Sequence, residues 1–463
     1  MLEIAHRMMQ AGRPSEAADA VSALTSMPGA PVEALILHVQ ALVAAGRNEE
    51  ALIASRKAAG WGVPHAELGS AQIAANLGRF AEAEAGFRAV LAREPGEERA
   101  RRGLARARFA VEGVEGALTA IDEGLAHHWS PALASFKASV LGQADRPAEA
   151  LAVMLNALGR QPGSPELHAA AAAAAALDGQ ADIALSHAEA AVRLAPTEQS
   201  MAVVAAEARL GVGDARGALA LIEPLRRAAP LDQKRIALQA TAWRLLGDER
   251  VRTLYDYDRF VRAYTLEPPS GWATLDAFLG DLARTLHAVH DSQGATLDQS
   301  VRAGTQTNVD LTRTRDPVLR ALFAALAQPI GDYVGRLGRA GNEMSEPLAA
   351  RNRGGFAFNG AWSVRLNPGG GRHVNHTHPQ GWLSSAFYVD LPEAIDAGGE
   401  EGWIQFGEPG CPTRPVLGPE HKVKPEPGRL VLFPAYMWHG TRPFGGTRTR
   451  LTFAFDAVPA DPR

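Results

Sequence analysis

The chain has 463 residues, of which 46% are hydrophobic and 21% charged, and a formal net charge of −4. That length exceeds one ordinary core and predicts a multidomain globular protein. The slightly acidic balance excludes a general attraction to nucleic acid or to an anionic membrane, and the single cysteine, Cys411, excludes an internal disulfide.

The first residues, MLEIAHRMMQAGRPSEAAD, lack the apolar run of a signal peptide. Nowhere does an apolar stretch reach the roughly 18 residues of a membrane span. The expectation is a cytoplasmic protein with neither nucleic acid nor membrane as a partner.

To about residue 245 the sequence is rich in Ala, Leu, Glu and Arg, which favours helix. An alanine recurs in one local context at Ala17, Ala51, Ala83, Ala117, Ala150, Ala184 and Ala218, in steps of 34, 32, 34, 33, 34 and 34 residues. Five residues before it stands Gly12, Gly46, Gly78, Gly179 or Gly213; two repeats have Glu112 or Asp145 there. The word Gly-Arg-x-x-Glu-Ala reads as a helix–turn–helix. The glycine ends one helix in a left-handed conformation, and the small alanine lets the next helix approach closely. Prolines at 95, 162, 196 and 230 close units. Period and pattern resemble the tetratricopeptide repeat, which implies a solenoid of roughly seven helix pairs with a concave groove. The groove is a candidate site for a peptide or protein segment; a spacer or a dimerisation arm is the alternative.

Near residue 250 the composition changes, so domains are predicted at 1–248 and 249–463. Phe260–Leu266 reads as a first strand, Ala273–His290 as a helix, residues 297–313 as a polar loop, and residues 316–338 as a second helix with a possible bend at Pro329. From Gly354 the texture is short Val/Phe/Tyr/Trp/Thr runs between Gly/Pro turns. Strands are predicted at Gly360–Leu366, Val374–His378, Ser384–Asp390, Gly402–Phe406, His421–Lys424, Arg429–Phe433 and Arg450–Ala457. So many short strands predict a sandwich or jelly roll, braced by the two helices.

The stretch NHTHPQGWLSSAFYVD places His376 and His378 two apart, on one face if the segment is a strand. His439 ends the later run LVLFPAYMWHG, and Arg450 follows in TRLTFAF. Two close histidines, one distant histidine and a trailing arginine predict a mononuclear Fe(II) site beside an anionic co-substrate. Arg450 can clamp a carboxylate with two parallel hydrogen bonds, and Thr452 faces the same way. The second ligand position commonly carries a carboxylate and here is His378, which leaves open a supporting role for that residue. His373 is a weaker partner for His376, because i and i+3 do not share a strand face. Tyr388 and Trp382 are candidate pocket members, and Tyr436, Met437 and Trp438 are candidates to shape a substrate entrance.

The runs HVNHTHPQGWLSSAFYVDLPE, GGEEGWIQFGEP, PGRLVLFPAYMWHGTRPF and RTRLTFAFD resemble a bacterial family of 2-oxoglutarate/Fe(II)-dependent oxygenases. The upstream LDQSVRAGTQT and YDRFVRAY are similar to it as well. The resemblance covers roughly residues 255–460 and implies a double-stranded β-helix using Fe(II), 2-oxoglutarate and O₂. It implies His376, His378 and His439 as iron ligands and Arg450 as the anchor of the distal carboxylate; the expectation from the residues themselves adds Thr452 and Tyr388 beside the co-substrate. Where the family often has Ser-Gly-x-Tyr-Tyr, this chain has Ser-Ala-Phe-Tyr, which concerns the lining near Ala386 and Phe387. The implied activity is hydroxylation, with a peptide or protein substrate gripped by the repeats. The alternatives are a small-metabolite oxygenase whose repeats serve assembly, for example into a homo-oligomer, and a non-catalytic scaffold.

Overall fold

The computed structural model describes all residues except 28, 293–296, 298–299, 340 and 462–463, so Asp298 and Gln299 of the LDQSVRAGTQT segment lie outside the described residues. The chain divides into two compact units. One comprises residues 1–136, 289–297 and 307–314; the other comprises 137–288, 298–306 and 315–463.

The first unit is built from helix pairs. Gly12, Gly46 and Gly78 have φ of +70°, +71° and +74° and end their helices. At each, two backbone N–H groups fold back onto the last turn, as from Gly46 to the Val43 carbonyl and from Arg47 to the Leu42 carbonyl. Ala17, Ala51 and Ala83 are fully buried between helices. In the fourth repeat the left-handed residue is Gly113 (φ +71°), one later than the pattern at Glu112 predicts.

The second unit continues the repeats. Asp145 adopts the left-handed conformation in place of glycine, with φ +56°, a conformation Asp tolerates better than most residues. The last repeat helix, Gln233–Leu246, ends at Gly247. It is buried without a break from Ile236 to Trp243, hence on every face. The compact unit runs on past this helix into the β-domain, near where the composition changes.

The β-domain contains β1 (Arg262–Thr265), β2 (Val301–Arg302), β3 (Gly304–Gln306), β4 (Gly355–Leu366), β5 (Arg372–His373), β6 (Leu383–Asp390), β7 (Ile404–Phe406), β8 (His421–Val423), β9 (Arg429–Pro434), β10 (His439–Thr441) and β11 (Arg450–Ala460). A six-stranded sheet has the order β1-β9-β6-β11-β4-β3, a three-stranded sheet β10-β7-β8, and β2 pairs β5. All pairings are antiparallel. Phe406 of the small sheet meets Phe433 of the large one, ring centroids 5.0 Å apart. The architecture is a helical repeat array followed by a jelly-roll-like β-domain.

The central strands of the large sheet are buried on both faces, and their side chains still alternate between the two. In β11, Leu451, Phe453, Phe455 and Ala457 point to one face and are fully buried. Helix Pro317–Arg336 braces that face, its Phe323 edge-on to Phe358 and Phe453. This helix runs through Pro329 uninterrupted. The other long helix of this region is Leu275–Ser292.

Several expectations need correction. Phe260 closes a short helical turn, and the first strand is Arg262–Thr265. The polar loop holds the short strands β2 and β3. Val374–His378 is not a strand: it makes one isolated bridge, His376 with His439. His439 does not end the run that begins at Arg429, because β9 stops at Pro434 and a turn precedes β10. No helix among the described residues is long and apolar enough to cross a membrane.

Candidate metal centre

The three histidines meet without sharing a strand. The His376 N–H donates to the His439 carbonyl (2.9 Å), and the His439 N–H returns to the His376 carbonyl (3.2 Å). The His378 N–H reaches the Ala435 carbonyl at 2.9 Å. The ligand loop thus pairs with β10 at one residue and with the end of β9 at another. Gly440 permits the close approach, since a Cβ there would stand 2.3 Å from Asn375 Oδ1.

His376, His378 and His439 bring one ring nitrogen each to within 4.8 Å of the others. Each Nδ1 is already engaged. His376 Nδ1 lies 2.8 Å from the Val374 carbonyl, His439 Nδ1 2.9 Å from the Met437 carbonyl, and His378 Nδ1 2.8 and 2.9 Å from the two Asp456 oxygens. Those acceptors require a proton on Nδ1, so each Nε2 is left as a lone-pair donor. The Nε2 atoms of His376 and His378 stand 3.1 Å apart. Two ligands at right angles, about 2.1 Å from one ion, would be separated by about 3 Å. The donor set therefore fits a divalent transition metal held on one face.

Burial depresses the basicity of His376, His439 and His373. The His376 pKa falls to about 3, first through desolvation and then through His378. His439 and His373 fall well below the usual value for the same first reason, with His376 next. Neutral imidazole is the form that binds metal.

The triad opens on a cavity of about 500 Å³ in the β-domain, a size that suits a small-molecule site. One face of β11 contributes Arg450, Thr452, Ala454 and Asp456. Arg450 is 2% exposed, its charge is disfavoured by burial, and its Nε has no hydrogen-bond partner. Among the described residues no carboxylate neutralises it; its guanidinium lies 5.1 Å from the centre of the Tyr388 ring. An unpaired buried cation is costly, and an anionic ligand entering the cavity would relieve that cost.

Thr452 also lines the cavity, and its hydroxyl donates to the Val364 carbonyl at 3.3 Å. Tyr388 is fully buried beneath Arg450 and does not line the cavity; its hydroxyl lies near the guanidinium of Arg450. Trp382 belongs to the core, donating to the Leu348 carbonyl at 3.1 Å. Tyr436, Met437 and Trp438 are buried away from the cavity and do not shape an entrance. Tyr436 Oη donates to the Leu254 carbonyl, and Trp438 Nε1 to Thr241 Oγ1.

The sequence reading missed Asp456, Ser300, Gln306, Trp362 and Thr441 and underrated His373, which line the same cavity. Trp362 stacks on His378 with centroids 5.7 Å apart, and His373 stacks on His376 at the same distance while its Nδ1 meets Ser300 Oγ at 2.9 Å. Asp456 had a signal: it lies six residues after Arg450, on the same strand face.

Residues 360–456 match the family model described as "Putative 2OG-Fe(II) oxygenase". This segment contains the triad and Arg450. A search of the curated proteins finds no match. Among solved structures, the chain is similar to a tetratricopeptide repeat protein from Parabacteroides merdae (14% identity, 52% of this chain, 96% of that one, TM-score 0.35). It is similar to the C-terminal part of a TPR repeat-containing protein from Cytophaga hutchinsonii (13% identity, 52% and 99%, TM-score 0.34). A prolyl-4-hydroxylase from Pseudomonas putida also matches (15% identity, 43% and 95%, TM-score 0.29).

Proposed function

We propose that the chain is an Fe(II)- and 2-oxoglutarate-dependent oxygenase that hydroxylates a side chain of a peptide or protein. In this reading residues 1–248 grip the substrate and 249–463 carry the chemistry. His376, His378 and His439 hold the metal through Nε2. Arg450 receives the distal carboxylate of 2-oxoglutarate, with the Thr452 hydroxyl beside it and the Tyr388 ring supporting the guanidinium. Bound there, the iron and its co-substrate with O₂ supply the oxidation: 2-oxoglutarate is decarboxylated to succinate and a C–H bond of the substrate is hydroxylated.

The residues of the chain do the rest. The Val374 and Met437 carbonyls and the Asp456 carboxylate fix the imidazole tautomers. Val364, Ile404 and Phe433 give the cavity apolar walls that exclude water. Trp362 and Phe433 hold the rings of His378 and His439 in place.

The observation that carries this reading is one cavity joining three imidazole nitrogens to a buried arginine that lacks an acid partner. The test is succinate formation from 2-oxoglutarate with Fe(II) and O₂, before any substrate is known. Wild type should exceed a His439→Ala control; no difference between them would sink the oxygenase reading. Substitutions in the repeat groove that leave turnover of every peptide substrate unchanged would remove the gripping role.

A further inference from the structure

We infer that Thr241, on the last repeat helix, is a positioning residue for the metal centre and acts on His439 through Trp438. The inference rests on the triad being a metal site, as proposed above.

Trp438 immediately precedes His439 and is held from several sides. Its indole Nε1 donates to Thr241 Oγ1 at 3.0 Å, and the two residues are 2% and 3% exposed. The Thr241 hydroxyl in turn donates to the Ala237 carbonyl at 2.8 Å, so its oxygen is aimed as an acceptor. Lys234 of the same helix stands 4.6 Å from the centre of a Trp438 ring. The Trp438 N–H donates to Tyr255 Oη at 3.0 Å, and its carbonyl accepts from the Gly407 N–H at 2.9 Å.

The same helix also grips the strand that pairs with His439. Arg244 donates to the Gly407 carbonyl at 2.9 Å and to the Gly418 carbonyl at 2.8 Å. Gly407 follows Phe406, the register partner of His439. Two contacts from one helix thus hold the same end of the β7–β10 pair, the end that carries His439.

Among the described residues, His439 has one side-chain hydrogen bond, to the carbonyl of Met437, which lies in the turn that Trp438 ends. If the indole swings, that carbonyl and the His439 backbone move with it. A helix buried on every face has little room to yield, so it makes a rigid datum for the ligand. A buried donor left without its acceptor would turn to find another.

The test compares Thr241→Val, which keeps the shape and loses the acceptor, with Thr241→Ser, which keeps the hydroxyl. Co(II) serves as the probe, titrated into the full chain and followed by its visible absorption bands. Thr241→Val should weaken Co(II) binding about fivefold and alter the band pattern, less than the roughly tenfold or more lost with a direct partner of a ligand, because Thr241 acts through Trp438; Thr241→Ser should stay within about twofold. A Thr241→Val protein with a lower melting temperature but unchanged affinity and spectrum overturns the inference. If that variant does not fold, Trp438→Phe removes the donor instead, and unchanged Co(II) binding there overturns it equally. Wild type that binds Co(II) no better than His439→Ala overturns the metal-centre reading itself, a result distinct from a silent Thr241→Val.

Discussion

The two oxygens of Asp456 sit 2.8 and 2.9 Å from His378 Nδ1. An acid is present near the second ligand position, but one step behind it, where it orients an imidazole. Asp456→Asn keeps an acceptor and loses the charge, so Co(II) affinity should fall about tenfold. Asp456→Ala loses both and should fall further. Equal affinities for wild type and Asp456→Asn in the same titration would show that the charge is idle.

Arg450 is a buried cation whose neighbour is a ring and not an acid. Replacing an uncompensated buried charge with an apolar side chain of similar volume removes a desolvation penalty of roughly several kcal/mol. Loss of the ring contact offsets about 1 kcal/mol. Arg450→Met should therefore melt at or above the wild-type temperature without ligands, while 2-oxoglutarate ceases to raise the melting temperature of the metal-loaded protein. A marked drop without ligands would mean that the guanidinium stabilises the empty fold.

The depressed histidines make the metal-free protein acid-sensitive. The unfolded ring titrates near pH 6.5, and folded His376 near pH 3. Between those values the unfolded state binds more protons, so stability is fully present above about pH 6.5 and falls as the pH drops through the window. From pH 7 to 5 this one ring should cost about 2 kcal/mol. His373 and His439 shift in the same direction. Urea melts at the two pH values should show a smaller loss in His376→Gln than in wild type; identical losses would contradict the assignment.

Two repeat glycines separate backbone strain from contact. Gly179 (φ +75°) has open space where a Cβ would go, whereas at Gly213 (φ +87°) a Cβ would stand 3.0 Å from the Arg414 carbonyl oxygen. Alanine at Gly179 should cost about 1–2 kcal/mol from its left-handed backbone alone. Gly213→Ala should cost at least about 1 kcal/mol more, read by chemical denaturation. Equal costs would show that the turn is free of the 407–420 loop.

The parts legible in the sequence are those set by local rules. A 34-residue step and a Gly-Arg word are enough to place the helix pairs, because each turn depends on its own glycine and alanine. Arg450 and Thr452 were visible as a strand face, and Asp456 would have been had the alternation been followed two steps further. The ligand loop was misread because HTH looks like strand, while its partners, His439 and Ala435, come much later in the chain. Tyr436–Trp438 were misread for a related reason. Aromatic residues after a strand look like more strand or a rim, yet here their partners are Leu254, Tyr255 and Thr241. Such partners are supplied by the assembled fold, not by neighbours in sequence.

That Arg450 has no acid beside it among the described residues, while Asp456 is engaged by His378 Nδ1, also sets a charge count. Among the described residues that line the cavity, Arg450 is the one cation and Asp456 the one acid, and their formal charges cancel. Under the proposed function, a divalent metal adds two positive charges and 2-oxoglutarate two negative ones. Either alone leaves an imbalance in a largely buried space, where imbalance is expensive; together they restore neutrality. Metal and co-substrate should then bind as a couple, each tightening the other by the same factor. Co(II) titrations with and without 2-oxoglutarate measure that factor directly.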